Sequence, residues 1–199
     1  MFSVKSLASV LAISGLSSAA VMHKRADGIT LYAYGSNIMA NSVYYKNGLA
    51  FFGHGNTTQE GQTDITFKTT DDTSVSWTIT PTSSSVSFPE PPALYINPSE
   101  GSFQQVGFAP NSNVPIGGVT SGFRFFGKSV AYESTSSDLQ LQFYGKATET
   151  DGVFGLYWNG NVTGSNPDAF PVQVKSTPPN VPATAIGASM PIAKAKGSA

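Results

Sequence analysis

Apolar and polar residues alternate along most of this chain. Leu139, Leu141 and Phe143 are separated by glutamines, and Val75, Trp77 and Ile79 alternate with Ser and Thr. A period of two places every second side chain on one face of a β-strand, whereas helices need a spacing of three to four. Because Gly and Pro interrupt these runs, the pattern predicts an all-β fold, a single-domain antiparallel β-sandwich or β-barrel.

The clearest local element is a β-hairpin centred on Asn47 and Gly48. This pair tolerates the positive φ angles of a type I′ turn, whose twist matches that of the flanking strands. A two-residue turn here predicts that Val43 lies opposite Phe52. Since both faces of the hairpin are largely apolar, we expect both to be covered, with a surface aromatic platform as the alternative.

The spacing of aromatic residues and glycines also allows an internal duplication. Gly35 and Gly53 each follow an aromatic residue and lie 18 residues apart, and Gly127 and Gly145 repeat that interval. Glycine after an aromatic strand end is common, so the pattern permits a repeat without requiring one. Equivalent strand pairing in the two segments is the test.

The N-terminal residues 1–20 have the features of a signal peptide. Lys5 precedes a short apolar run, and small residues lead up to Ala20. The run is shorter than the roughly 20 residues that cross a bilayer, which favours a cleaved export signal over a membrane span. The chain is therefore predicted to be secreted and extracellular, without a membrane span.

The signal peptide is followed by a dibasic step at Lys24 and Arg25. Cleavage after this pair by a processing protease would remove residues 21–25 as a short propeptide. The alternative is that Lys24 and Arg25 are a charged pair without a role in processing. Residues 26–175 then form the β-domain. Residues 176–199 are rich in Pro, Ala and Ser and carry no strand or helix pattern, so we expect a disordered tail.

Charge and cysteine content limit the classes of function. The chain has 11 basic and 12 acidic residues and no cysteine. Loss of the first 25 residues would leave eight basic and twelve acidic residues, a net charge of −4. This balance argues against a nucleic-acid partner, whose phosphates require basic groups. A domain of this length buries about 70% of its unfolded surface and needs no disulfides.

Two Asn-x-Thr sequons, at Asn56 and Asn161, lie in Gly-rich polar stretches. Such stretches are typical of surface loops, where an N-linked glycan can be accommodated. Secretion would expose both sites to glycosylation, so both are candidate modification sites.

Residues that could carry catalysis are few. Loss of the propeptide would leave His54 as the single histidine, which we interpret as an exposed loop residue. We predict no catalytic residue, no metal ligand and no cofactor. The sequence lacks the several His or Cys residues of a metal site and a nucleophile pattern that would accompany a catalytic base. A glycosidase needs only two carboxyl groups, so hydrolysis stays open. The candidate carboxylates are Asp64, Glu133, Glu149 and Asp151.

Tyr157 and Trp158 are the candidates for ligand contact. Both aromatic rings can stack on sugars, and they end a strand pattern near the second sequon. The alternative, which we favour for Trp158, is a place in the buried core.

The opening strand from Ile29 to Asn37 and the hairpin from Val43 to Gly53 resemble small secreted fungal proteins described as hypersensitive-response-inducing elicitors. The resemblance implies a compact β-domain that a host surface component senses, and that family supplies no catalytic residues to transfer. It favours a non-enzymatic secreted domain, either elicitor- or effector-like or associated with cell-wall glycan. The alternative is a carbohydrate-binding module or glycan-active hydrolase.

Overall fold

The computed structural model describes residues 28–36, 38–160, 166 and 168–180. The predicted signal peptide, the Lys24–Arg25 step, the Asn161 sequon and the tail from residue 181 onward lie outside these residues.

The described part of the chain is built from strands, with a single 3-10 turn at Asn111–Asn113 and no α-helix. No helix there is long and apolar enough to cross a membrane. The strands are β1 (Tyr32–Gly35), β2 (Ile38–Lys46), β3 (Leu49–Gly53), β4 (Gln62–Lys68), β5 (Thr78–Pro81), β6 (Ala93–Tyr95), β7 (Ser102–Gln105), β8 (Gly107–Ala109), β9 (Phe123–Phe126), β10 (Ser129–Glu133), β11 (Leu139–Gln140), β12 (Phe143–Ala147), β13 (Val153–Gly160) and β14 (Ala169–Lys175).

Ten of these strands close into an antiparallel β-barrel. The ring runs β1-β2-β4-β5-β6-β8-β3-β13-β12-β14, and β14 pairs back with β1. The remaining strands lie outside the ring: β7 pairs with β13, and β9 and β11 pair with β10. The all-β prediction is confirmed. Of the two predicted architectures, the structure is a barrel and not a sandwich, because the ring strands leave no open sheet edge.

The predicted hairpin is confirmed in position and register. Asn47 and Gly48 have φ angles of 50° and 86°, and Val43 lies opposite Phe52. Val43 and Phe52 point into the barrel and are 2% and 0% exposed. On the outer face Tyr44 is only 1% exposed, because the loop after β3 lies over it. Both faces of β2 are therefore covered at this point.

Apolar side chains fill the barrel interior. The residual cavity at its centre measures about 10 Å³, far below the roughly 300 Å³ of the smallest ordinary ligand pockets. The interior is therefore a packed core and cannot hold an organic ligand. Residues from all parts of the chain line the cavity, including Val130 of β10: Leu31, Val43, Ala50, Phe67, Leu94, Val130, Phe143, Leu156 and Val174.

Two predicted strand faces differ from the structure. Leu139 and Leu141 are 39% and 38% exposed, whereas Phe143 is 2% exposed. The reason is that β11 pairs with β10 outside the ring, and the barrel strand β12 begins only at Phe143. Val75 is 48% exposed because it ends a turn that precedes β5. In this turn the backbone N–H of Val75 donates a hydrogen bond to the Asp72 carbonyl.

The strand pairings do not support the internal duplication. In the first segment β2 and β3 form a hairpin with each other. In the second segment β10 pairs with β11, and β12 pairs with β13 and β14 instead. The shared glycine interval therefore reflects similar strand ends and not an equivalent topology.

Candidate functional site

Tyr157 and Trp158 are neighbours on β13 and point to opposite sides of the barrel wall. Trp158 is 0% exposed and packs edge-on against Phe143, with ring centroids 4.9 Å apart. Its ring belongs to the core and is not available to a ligand at the surface. Tyr157 is half-buried on the outer face, so the ligand-contact hypothesis now applies to Tyr157 alone.

Three strands bring aromatic side chains together around Tyr157. Tyr144 on β12 lies directly opposite Tyr157, and Phe103 on β7 lies opposite Asn159, one pleat further along. The rings of Phe103 and Tyr157 stack at 5.1 Å with a 12° interplanar angle. Tyr144 meets Phe103 edge-on at 5.9 Å. We call Phe103, Tyr144 and Tyr157 the outer aromatic cluster; all three are half-buried.

A glycine makes room beside the outer aromatic cluster. A Cβ atom added to Gly155 would lie 2.9 Å from both Gln105 Nε2 and Tyr157 Cε2. Only glycine therefore lets these two side chains lie flat against the β13 backbone. Gln105 Nε2 also donates a 3.0 Å hydrogen bond to the carbonyl oxygen of Ala50, which fixes this amide at the edge of the cluster.

A second aromatic pair lies on the far side of Gly155. Phe51 is opposite Gly155 on β3, and its ring packs against Tyr44 at 6.0 Å. Lys46 Nζ lies 5.5 Å from the centroid of the Phe51 ring, within the range of a cation–π contact. The outer face therefore offers aromatic rings flanked by an amide and a cation, a combination suited to an amphipathic ligand.

The loop after β3 covers Tyr44. The hydroxyl of Tyr44 is buried without a hydrogen-bond partner, and a Cβ added to Gly55 would meet that oxygen at 2.2 Å. Burial raises the pKa of the Tyr44 hydroxyl, and the nearby charge of Asp64 raises this pKa further. Thr57 Oγ1 donates to Asp64 Oδ2 at 3.1 Å and ties the loop to β4.

The sequon at Asn56 lies in this loop. Asn56 is exposed, and its Oδ1 accepts hydrogen bonds from the backbone N–H and the hydroxyl of Thr58 at 3.2 and 2.6 Å. An exposed side chain in a polar loop leaves room for a glycan. Glycosylation of Asn56 stays a prediction.

The remaining candidate groups lie on different elements. His54 is exposed in the loop after β3, and Glu133 forms a 2.8 Å ion pair with Arg124. Glu149 and Asp151 are exposed in the turn between β12 and β13. The described residues contain no group of three or more metal-ligating side chains. Each carboxylate is thus bonded to a neighbour or part of an exposed turn.

A scan against protein-family models found no match, and searches of curated proteins and of solved structures returned none either.

Proposed function

We propose that this chain is a secreted, non-enzymatic β-domain that associates with cell-wall glycan through its outer aromatic cluster. The observation that carries the proposal is the convergence of Phe103, Tyr144 and Tyr157 on the outside of a barrel whose interior is filled. A partner must therefore bind to the outer surface or to the loops.

Aromatic rings at a partly exposed site suit sugars for a physical reason. The C–H face of a sugar ring packs on the apolar face of an aromatic ring, while its hydroxyls bond to polar groups at the rim. Gln105 and the hydroxyls of Tyr144 and Tyr157 supply such groups around Phe103. Because all three rings are half-buried, part of each ring remains accessible to a ligand.

Polysaccharide depletion tests the proposal. Purified mature protein is mixed with chitin, cellulose, β-1,3-glucan and pectin, and the protein left in solution gives the affinity. We expect retention on at least one polymer. Removal of the central ring by Tyr157→Ala should weaken that affinity about tenfold, equivalent to about 1.4 kcal/mol.

Phe126→Ala is the matched control for this experiment. Phe126 is 61% exposed on β9, outside both the ring and the outer aromatic cluster, so its removal should leave retention unchanged. Thermal melts verify that both variants fold. Equal weakening by the two substitutions, or no retention of the unmodified protein on any polymer, would reject the proposal.

The non-enzymatic part of the proposal has its own readout. The supernatants of the same mixtures are assayed for newly released reducing ends. We expect none beyond the polymer blank, because each candidate carboxylate is bonded to a neighbour or lies in an exposed turn. Steady release of reducing ends would reject the non-enzymatic binding domain and favour the alternative, a glycan-active hydrolase.

An elicitor- or effector-like action on a host is a second proposal, supported by the resemblance of the opening strand and the hairpin. Mature protein is infiltrated into leaves of several plant species, with heat-denatured protein as the control. A local cell-death response to the folded protein alone is expected. The absence of a response in every species would remove this proposal and leave the glycan association untouched.

A further inference from the structure

A polar cleft of about 380 Å³ lies where three loops meet, away from the outer aromatic cluster. The backbone N–H of Gly122 donates to the Thr73 carbonyl at 2.7 Å, and that of Glu133 donates to the Gly122 carbonyl at 2.8 Å. These bonds hold the three loops together. The lining residues are Thr73, Ser74, Val119, Ser121, Gly122, Tyr132, Glu133, Ser134 and Thr135.

The bottom of the cleft is anchored in the core through Tyr132. This residue is 9% exposed, and its ring lies 5.8 Å from that of Trp158 and 6.1 Å from that of Phe123. Gly122 has a φ of 90°, and an added Cβ would lie 2.6 Å from the Tyr132 ring. Glycine thus permits both the turn and the close approach of this loop to the ring.

The walls of the cleft carry hydroxyls that are free to bind a ligand. Within the described part of the chain, the side-chain hydroxyls of Thr73, Ser121 and Thr135 form no hydrogen bond with protein atoms. The Ser134 hydroxyl, in contrast, is hydrogen-bonded to the Ser136 hydroxyl at 2.8 Å. Three unengaged hydroxyls therefore face one concave space.

The charge in the cleft is balanced. Glu133 contributes a carboxylate, and Arg124 Nη1 bonds to its Oε2 at 2.8 Å. The ion pair lowers the attraction of the cleft for a free cation or anion, while the second carboxylate oxygen can still accept a hydrogen bond. These features favour a neutral ligand with several hydroxyls.

We propose that this cleft binds a single neutral sugar ring, either free or at the end of a glycan chain. The volume is at the small end of the range for ligand pockets, about 300–1,000 Å³, which suits a single ring and not an extended polymer. Sugar hydroxyls would bond to Glu133 and to the free hydroxyls of Ser121 and Thr135. The site is separate from the outer aromatic cluster and does not depend on the proposed function.

Tryptophan fluorescence provides the test, because one tryptophan contacts a lining residue of the cleft and the other contacts the loop that leads into it. Trp158 contacts Tyr132, and Trp77 Nε1 donates to the Thr70 carbonyl at 3.1 Å in the loop that leads into Thr73. The mature protein is titrated with glucose, mannose, galactose and N-acetylglucosamine. We expect a saturable change in emission with at least one of these sugars.

Matched variants locate the binding. Thr135→Val removes one lining hydroxyl and should weaken binding about fivefold, the loss expected for one hydrogen bond. Thr80→Val makes the same change at an exposed position of β5 and should leave affinity unchanged. Tyr157→Ala should also leave it unchanged, which separates this site from the outer aromatic cluster.

The outcomes that overturn the inference are specific. No saturable change with any of the four sugars, or equal affinity of Thr135→Val and Thr80→Val, would remove the cleft as a sugar site. Loss of binding in Tyr157→Ala would assign the sugar to the outer face instead. Amide shifts in a ¹⁵N spectrum that cluster at Ser121 and Thr135 would support the assignment to the cleft.

Discussion

The Tyr44→Phe substitution removes a hydroxyl that the folded protein buries without a hydrogen-bond partner. Tyr44 lies on the outer face of β2, 1% exposed beneath the loop that carries Gly55. In the unfolded chain this hydroxyl is fully hydrated. Folding therefore costs hydrogen bonds to water that the native structure does not replace, and phenylalanine keeps the ring while avoiding that loss.

The magnitude follows from the cost of leaving a buried polar group unsatisfied, about 1–3 kcal/mol. Part of this is offset because the oxygen atom also fills space against Gly55. We therefore expect Tyr44→Phe to raise the free energy of unfolding by about 1 kcal/mol. For a domain of 150–250 residues this corresponds to an increase in Tm of about 2–4 °C.

Urea denaturation followed by tryptophan fluorescence measures the effect, since Trp77 and Trp158 are both fully buried in the native state. Tyr34→Phe is the matched control. The Tyr34 hydroxyl donates to the Thr177 carbonyl at 2.7 Å, so its removal should lower the free energy of unfolding by about 0.5–1 kcal/mol. Because the chemical change is the same, effects on the unfolded chain largely cancel between the two variants.

The structure requires that Tyr44→Phe raises the free energy of unfolding and that Tyr34→Phe lowers it. If Tyr44→Phe destabilises the protein as much as Tyr34→Phe does, the Tyr44 hydroxyl is hydrogen-bonded in solution. The loop over β2 would then have to lie differently from its position here.

Two further predictions concern the turn and the titration of buried tyrosines. Gly48→Ala places a Cβ at a φ of 86° and should lower the free energy of unfolding by about 1–2 kcal/mol in urea denaturation; an unchanged midpoint would contradict the type I′ turn. Burial raises the pKa of Tyr44, Tyr95 and Tyr132 above the ordinary value of about 10. Since the unfolded chain then loses these protons first, stability should be full below about pH 10 and fall as the pH rises further. A urea midpoint that stays constant from about pH 8 to about pH 11 would contradict this.

The hairpin was predictable because all of its determinants are local. The backbone preference of Asn47 and Gly48 sets the turn, and a two-residue turn then determines that Val43 faces Phe52. Alternation likewise indicates that Tyr157 and Trp158 point to opposite sides of β13. It does not indicate which side is the core.

The outer aromatic cluster was only partly predictable. Tyr157 was a candidate, but Phe103 carries no sequence signal that links it to Tyr157. The two rings stack because β7 pairs with the second half of β13, beyond the part that β3 occupies. Leu139 and Leu141 show the converse: their alternation matches a core strand, yet β11 lies outside the ring and leaves both exposed.

The amino-acid sequence alone thus determined the strand character, the hairpin and its register, because period-two patterning and turn preferences act between residues close in the chain. Only the tertiary structure decided that the strands close into a barrel, that Trp158 faces inward, and that the outer cluster and the polar cleft exist. These features depend on strands distant in sequence, whose pairing is selected by how much apolar surface the whole chain can bury at once.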